Sequence, residues 1–144
     1  MSTQATTVLR GHPGIGAKVT GRALVAHDNF SARYDLNRIE GVFSRPQHAL
    51  FGQNYVDTVL VLNIAKGGVA TAWMLHEMAS RGMAPRALVL NAANPIMAQG
   101  AAFADLPFLD RFDSDVTEFV RTGDLVAVDP AAGTLEILER AAGA

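Results

Sequence analysis

Residues 57–64, DTVLVLNI, and residues 87–90, ALVL, hold the apolar runs VLVL (59–62) and ALVL, with no polar alternation. A strand that is apolar at every position must be covered on both faces. Between the two runs lies VATAWMLHEMASRG, whose Ala70, Trp73, Met74 and Met78 fall at helical spacing and whose Gly82 ends the helix as a C-cap. Trp73, Met74 and Met78 read as core. Strand, helix and strand in that order make a βαβ unit with parallel strands and a right-handed crossover. A chain built on such a unit is mixed α/β with a parallel core.

The flanks add hairpins and short helices. KVTGRALVAH predicts a strand over Val19–Val25. Asn94 before Pro95 is an N-cap followed by the favoured first helical residue, and Pro107 stops that segment. DSDVTEFVRTGD predicts a short helix capped by Asp113 or Ser114 and closed by Gly123. DLVAVDPAAGTLEIL predicts a hairpin, with strands Leu125–Asp129 and Thr134–Ile137 around PAAG. GHPGIG, residues 11–16, has no strand before it and reads as a turn. Residues 28–55 lack periodicity, and so long a loop in a small domain marks function. The expected whole is a single domain over 1–144 with a mixed sheet or barrel-like core, in which 1–10 and 139–144 are loose ends.

Composition narrows the classes of activity. The 144-residue chain has no cysteine, so it forms no disulfide and supplies no thiolate to zinc or an iron–sulfur cluster. Its four histidines are scattered, and none pairs with another at metal-ligand spacing. A net charge of −2 gives no general attraction to nucleic acid or anionic membrane. The N-terminus lacks the basic and apolar regions of a signal peptide, and no apolar run approaches a membrane span, so the expected location is the cytoplasm.

The junction between the central strand and the helix, AKGGVATAW, carries the strongest functional signal. Lys66-Gly67-Gly68-Val69 opens like the nucleotide loop of chromosome-partitioning ATPases. Ala70, Thr71 and Ala72 then stand where the phosphate-reaching lysine and magnesium-binding hydroxyl are required. Two readings remain. Glycines let a strand turn sharply into a helix with nothing bound. Alternatively, unpaired amides at the helix start, beside Lys66, hold a carboxylate or a single phosphate. The carboxyl end of a strand is where open α/β sheets bind ligands.

Several stretches in register resemble the small, or swivel, subunit of aconitase X. They are GRALVAHDNFSARY, RPQHALFGQNYVDTVLVL, RGMAPRALVLNAANPIMAQGA and VRTGDLVAVDPAAGTLEI, covering roughly residues 20–138. The resemblance implies a swivelling β/β/α domain that docks on a large catalytic subunit. It places an iron–sulfur or iron centre in that partner and no cofactor in this chain. It implies dehydration of a small anionic hydroxy acid; cis-3-hydroxyproline and phosphomevalonate are substrates in the family.

One departure bears on chemistry. The family's dehydratases carry a serine-rich loop here, and one serine is held to be the base. Gly67 and Lys66 match the family pattern, but the serine positions hold Gly68, Val69, Ala70 and Ala72. Thr71, off those positions, is the loop's remaining hydroxyl, so Thr71 and Lys66 are its catalytic candidates; a base from the large subunit, and a different lyase or isomerase reaction or none, are the other readings. The substrate-binding candidates are Lys66, Gly67, Gly68, His48, Gln53, Asn94 and Arg45. For His48 the competing reading is a histidine that holds a loop by hydrogen bonds; for Asn94 it is the N-cap alone. The other reading of the whole chain is a non-catalytic binding or regulatory module of the same fold.

Overall fold

The computed structural model describes residues 8–31, 35–65, 69–93 and 95–141. Thirteen elements follow in chain order: β1 (Val8–Arg10), β2 (His12–Ile15), β3 (Val19–Val25), β4 (Leu36–Asn37), β5 (Val42–Phe43), β6 (Val59–Ile64), α1 (Val69–Ser80), β7 (Ala87–Ala92), α2 (Pro95–Phe103), β8 (Phe108–Asp110), α3 (Val116–Phe119), β9 (Leu125–Asp129) and β10 (Thr134–Glu139). The expected βαβ unit is β6–α1–β7, and the expected hairpin is β9–β10.

Eight strands lie in the order β1-β10-β9-β3-β6-β7-β8-β2. The pairs β3–β6, β6–β7 and β7–β8 are parallel, and the remaining pairs of this sheet are antiparallel. The outermost members β1 and β2 are joined by Gly11 alone, so the two margins of the sheet meet. Gly11 N donates to Gly133 O at 2.7 Å and Gly14 N to Pro130 O at 2.8 Å, closing the seam against the β9–β10 turn. The fold is therefore the expected mixed α/β one with a barrel-like core.

Alternation along the central strands divides the apolar residues between two cores. Leu60, Leu62, Leu88 and Leu90 pack against Leu75 and Met78 of α1 and Ala101 of α2. Val59, Val61 and Val89 point the other way, toward Val126, Val128, Leu135, Val116 of α3 and Val120 at its C-cap. Both faces of β6 and β7 are thus covered, which is why these strands lack polar alternation.

Five expectations are corrected. Residues 8–10 are not loose but pair with β10 in register Val8↔Glu136 to Arg10↔Thr134. At the other end Glu139 completes β10, and Ala141 N donates to the buried Asp124 at 2.7 Å. Residues 12–15 of this segment form a strand, β2, in which Gly14 allows close backbone approach to Phe108 of β8. Asp115, not Asp113 or Ser114, caps α3, its carboxylate accepting from Thr117 N. Trp73 is 69% exposed; Leu75 and Met78 fill the positions beneath it.

Residues 35–56, with the β4–β5 hairpin, cover the end of the first core with Leu36, Phe43, Leu50 and Tyr55. Burial pushes the Tyr55 phenol up to about 12, against a smaller opposing pull from Arg38. An unfolded tyrosine titrates near ~10, so the folded chain holds this proton more tightly. The corresponding stability is complete below about pH 10 and is lost as pH rises toward the folded value, by roughly 1.4 kcal/mol per pH unit. Urea unfolding at pH 9, 10 and 11 is expected to show this alkaline loss, and Tyr55→Phe to flatten it.

Candidate functional site

The parallel strands β3, β6, β7 and β8 end at one edge, and the segments leaving them converge there. The segment after β3 runs alongside the end of β6. Ala26 N donates to Val61 O at 3.1 Å, Asn63 N to Asp28 O at 2.8 Å, and Phe30 N to Ile64 O at 2.9 Å. Phe30 and Ala65 form a parallel bridge, and Ala65 N donates to Ala92 O at 3.2 Å. The lead-in to Lys66 is therefore gripped from both sides. Lys66, Gly67, Gly68 and Asn94 themselves lie outside the described residues. Thr71 falls in the first turn of α1.

Two expected site residues, Arg45 and His48, meet in a buried ionic cluster beside this segment. Asp35 is 3% exposed, and its carboxylate takes Arg45 Nε at 2.5 Å and Ser31 N at 2.9 Å. The Nε2 of His48 donates to Asn29 O at 2.7 Å, and its Nδ1 accepts from Leu50 N at 3.0 Å. The ring stacks on Phe43 with centroids 4.6 Å apart. Asp28 and Asp35 each place a carboxylate oxygen within 4 Å of Nε2, at 3.9 and 3.8 Å. Burial pushes the Asp28 carboxyl up, but the amides of Ala49 and Asn29, with His48 and Arg45 nearby, outweigh it and leave it below the ordinary value. Both nitrogens of His48 are spent on backbone, so the geometry gives it the loop-holding role. Arg45 neutralises Asp35 in the same way. Gln53 is exposed, while its carbonyl takes Phe43 N at 3.0 Å.

A second polar cluster, which the sequence reading passed over, spans the same edge on the opposite face. Asn63 of β6 and Asn91 of β7 end the valine rows, and Asn91 Nδ2 donates to Asn63 Oδ1 at 3.0 Å. Asn91 also donates to Asp115 Oδ1 at 2.8 Å and accepts Val116 N at 2.8 Å. Asp115 receives the Thr117 hydroxyl at 2.6 Å, and His27 Nδ1 sits 2.8 Å from that hydroxyl. Burial pushes the Asp115 carboxyl up, but the hydrogen bonds from Thr117 and Asn91 and the nearby His27 hold it below the ordinary value. The signal was in the sequence: VLNI and VLNA place asparagine at matched positions of neighbouring parallel strands.

At the end of β8, Asp110 and Arg111 line a cleft of about 230 Å³ with His12, Ala93 and Phe108. Arg111 adopts φ 60°, a left-handed backbone that is unusual for a long side chain. Burial raises the Asp110 carboxyl, and Arg111, the Ala93 amide and His12 oppose this. Among the described residues, no group of three or more His, Asp or Glu side chains is placed to hold a metal ion.

The aconitase X swivel-domain family model matches residues 8–137. The chain belongs to that family. This swivel domain is 33% identical over 129 residues to the phosphomevalonate dehydratase small subunit of Methanocella arvoryzae, spanning 90% of this chain and 98% of the relative. The Methanopyrus kandleri small subunit is also 33% identical, over 83% of this chain and 87% of its own. Among solved structures, Thermococcus kodakaraensis aconitase X in its holo-form superposes with a TM-score of 0.85 at 27% identity, over 92% of the swivel domain and 98% of that chain. A UPF0107 protein solved by solution NMR gives 0.82 at 26% identity, over 92% and 99%. No helix among the described residues is long and apolar enough to cross a membrane.

Proposed function

We propose that this chain is the small subunit of an aconitase-X-like hydro-lyase, working in the cytoplasm. It closes over a large catalytic partner and helps bind a small anionic hydroxy acid for dehydration. The observation that carries this reading is the near full-length similarity to phosphomevalonate dehydratase small subunits, together with an edge where four parallel strands release polar segments. The iron or iron–sulfur centre belongs to the partner, since this chain has no cysteine to offer it.

In this reading Lys66 and the amides of Gly67 and Gly68 hold the substrate's carboxylate or phosphate. Thr71 and Asn94 are further substrate contacts in this reading. Arg45 and His48 act from behind by fixing the segment that grips β6. The exposed Trp73, with Met74 and His76 on the same helix, belongs to the partner interface, where a large aromatic side chain supplies much of the binding energy.

The test is co-expression with the large-subunit reading frame, followed by an iron assay and a hydroxy-acid dehydration screen that includes phosphomevalonate. The lone chain is expected to be inactive and the complex to turn over. Lys66→Ala in the complex should raise KM about tenfold, the loss of one charge-assisted contact of ~1.4 kcal/mol or more. A complex that forms yet dehydrates nothing would instead support a non-catalytic regulatory module, the reading favoured by the missing loop serines.

A further inference from the structure

The loop after β6 lacks the serines that resemblance leads one to expect, yet a dehydration needs a group that accepts a proton from carbon. The second polar cluster contains one. His27 leaves β3 at the same edge, and its side chain is 63% exposed. Its Nδ1 lies 2.8 Å from Thr117 Oγ1 and 3.3 Å from Asp115 Oδ2. The Thr117 hydroxyl spends its hydrogen on Asp115 Oδ1, so it presents a lone pair to the ring. Nδ1 must therefore carry the imidazole hydrogen, and Nε2 keeps its lone pair. No described residue bonds that second nitrogen.

The orientation of the ring is built rather than incidental. Asp115 is held by Thr117 N at 2.9 Å, by the Thr117 hydroxyl and by Asn91. Asn91 is itself tied to Asn63 and to Val116 N. The chain reaches this arrangement from the ends of β3, β6 and β7 and the start of α3. A hydroxyl hydrogen-bonded to Nδ1, with a carboxylate oxygen 3.3 Å away, fixes the tautomer and orients the ring, as a carboxylate does for a catalytic imidazole.

We propose that His27 is the proton acceptor of the dehydration, with Asp115 and Thr117 as its positioning residues; this rests on the hydro-lyase reading above. The lone pair of Nε2 takes the hydrogen on the carbon next to the substrate's carboxylate. The C–H electron pair becomes the second bond of the alkene as the neighbouring C–O bond breaks. The departing hydroxide takes back the proton from the imidazolium, so the balance is one alkene and one water, with His27 restored.

The experiment uses the complex with its large partner. His27→Gln should lower kcat by about a hundredfold or more, the scale of a lost general base, with KM and complex formation unchanged. Free imidazole should restore part of the turnover of His27→Ala. Asp115→Asn, which preserves an acceptor oxygen at the cap, should lower kcat while leaving KM in place. In the uncomplexed full chain, long-range proton–nitrogen NMR in alkaline buffer should find the hydrogen of His27 on Nδ1. A His27→Gln complex within threefold of wild-type kcat overturns the proposal and leaves the hydro-lyase reading standing, as does a hydrogen found on Nε2. A wild-type complex that dehydrates no hydroxy acid overturns both.

Discussion

Asp35→Ala is expected to lower the unfolding free energy by about 3 kcal/mol, at the lower end of what breaking a buried ion pair costs. The side chain is 5% exposed, while Arg45 across from it is 34% exposed and can turn partly to water. That difference sets the discount. The change removes the carboxylate that accepts the Ser31 amide and the charge opposite Arg45. It also takes away one of the two carboxylates near His48. Differential scanning calorimetry should register a fall of roughly 10 °C in Tm, given ~2–4 °C per kcal/mol for a chain of this size. Asp35→Asn, which keeps shape and an acceptor oxygen, should recover part of the loss. If the alanine variant melts within 2 °C of wild type, the cluster does not brace the segment beside β6.

Gly14→Ala should be as damaging, for a steric reason. A Cβ there would stand 2.0 Å from Phe108 O and 3.0 Å from Phe108 C. Both are backbone atoms of the neighbouring strand and cannot rotate aside. The pairing of β2 with β8, already irregular between His12 and Ile15, has to open. The expected loss is about 3 kcal/mol, the upper range for overpacking. Hydrogen exchange should localise it: the amides of Gly14 and Ile15 lose protection while those of β6 and β7 keep theirs. Uniform loss across all strands would instead mean that the seam and the central sheet unfold as one unit.

The central architecture was open to reading because its signals are local. The runs around Leu60 and Leu88, and the helix between them, reveal themselves within their own windows. β8 escaped because Phe108–Asp110 is three residues long, too short to display a period. GHPGIG passed for a turn because glycine marks both turns and close strand approach, and only the neighbouring strand decides between them. Trp73 passed for core because spacing places a side chain on a stripe without saying what covers that stripe. For the candidate site, the sequence singles out His48 and Arg45 one by one, but the contacts they make, with Asn29 O, Leu50 N and the Asp35 carboxylate, come from segments that no local pattern joins. His27 stayed hidden because its partner Thr117 lies 90 positions away. No local pattern carries that distance.

Strand β1 must wait for β10, far along the chain. Val8–Arg10 finds its place only beside Thr134–Glu136. Until then an incomplete nascent chain leaves its girdle unfastened and its valine-lined interior open to solvent. Closing so long a span of polypeptide is entropically slow. Synthesis of β10, and not any earlier event in translation, therefore sets when this domain can reach its finished form.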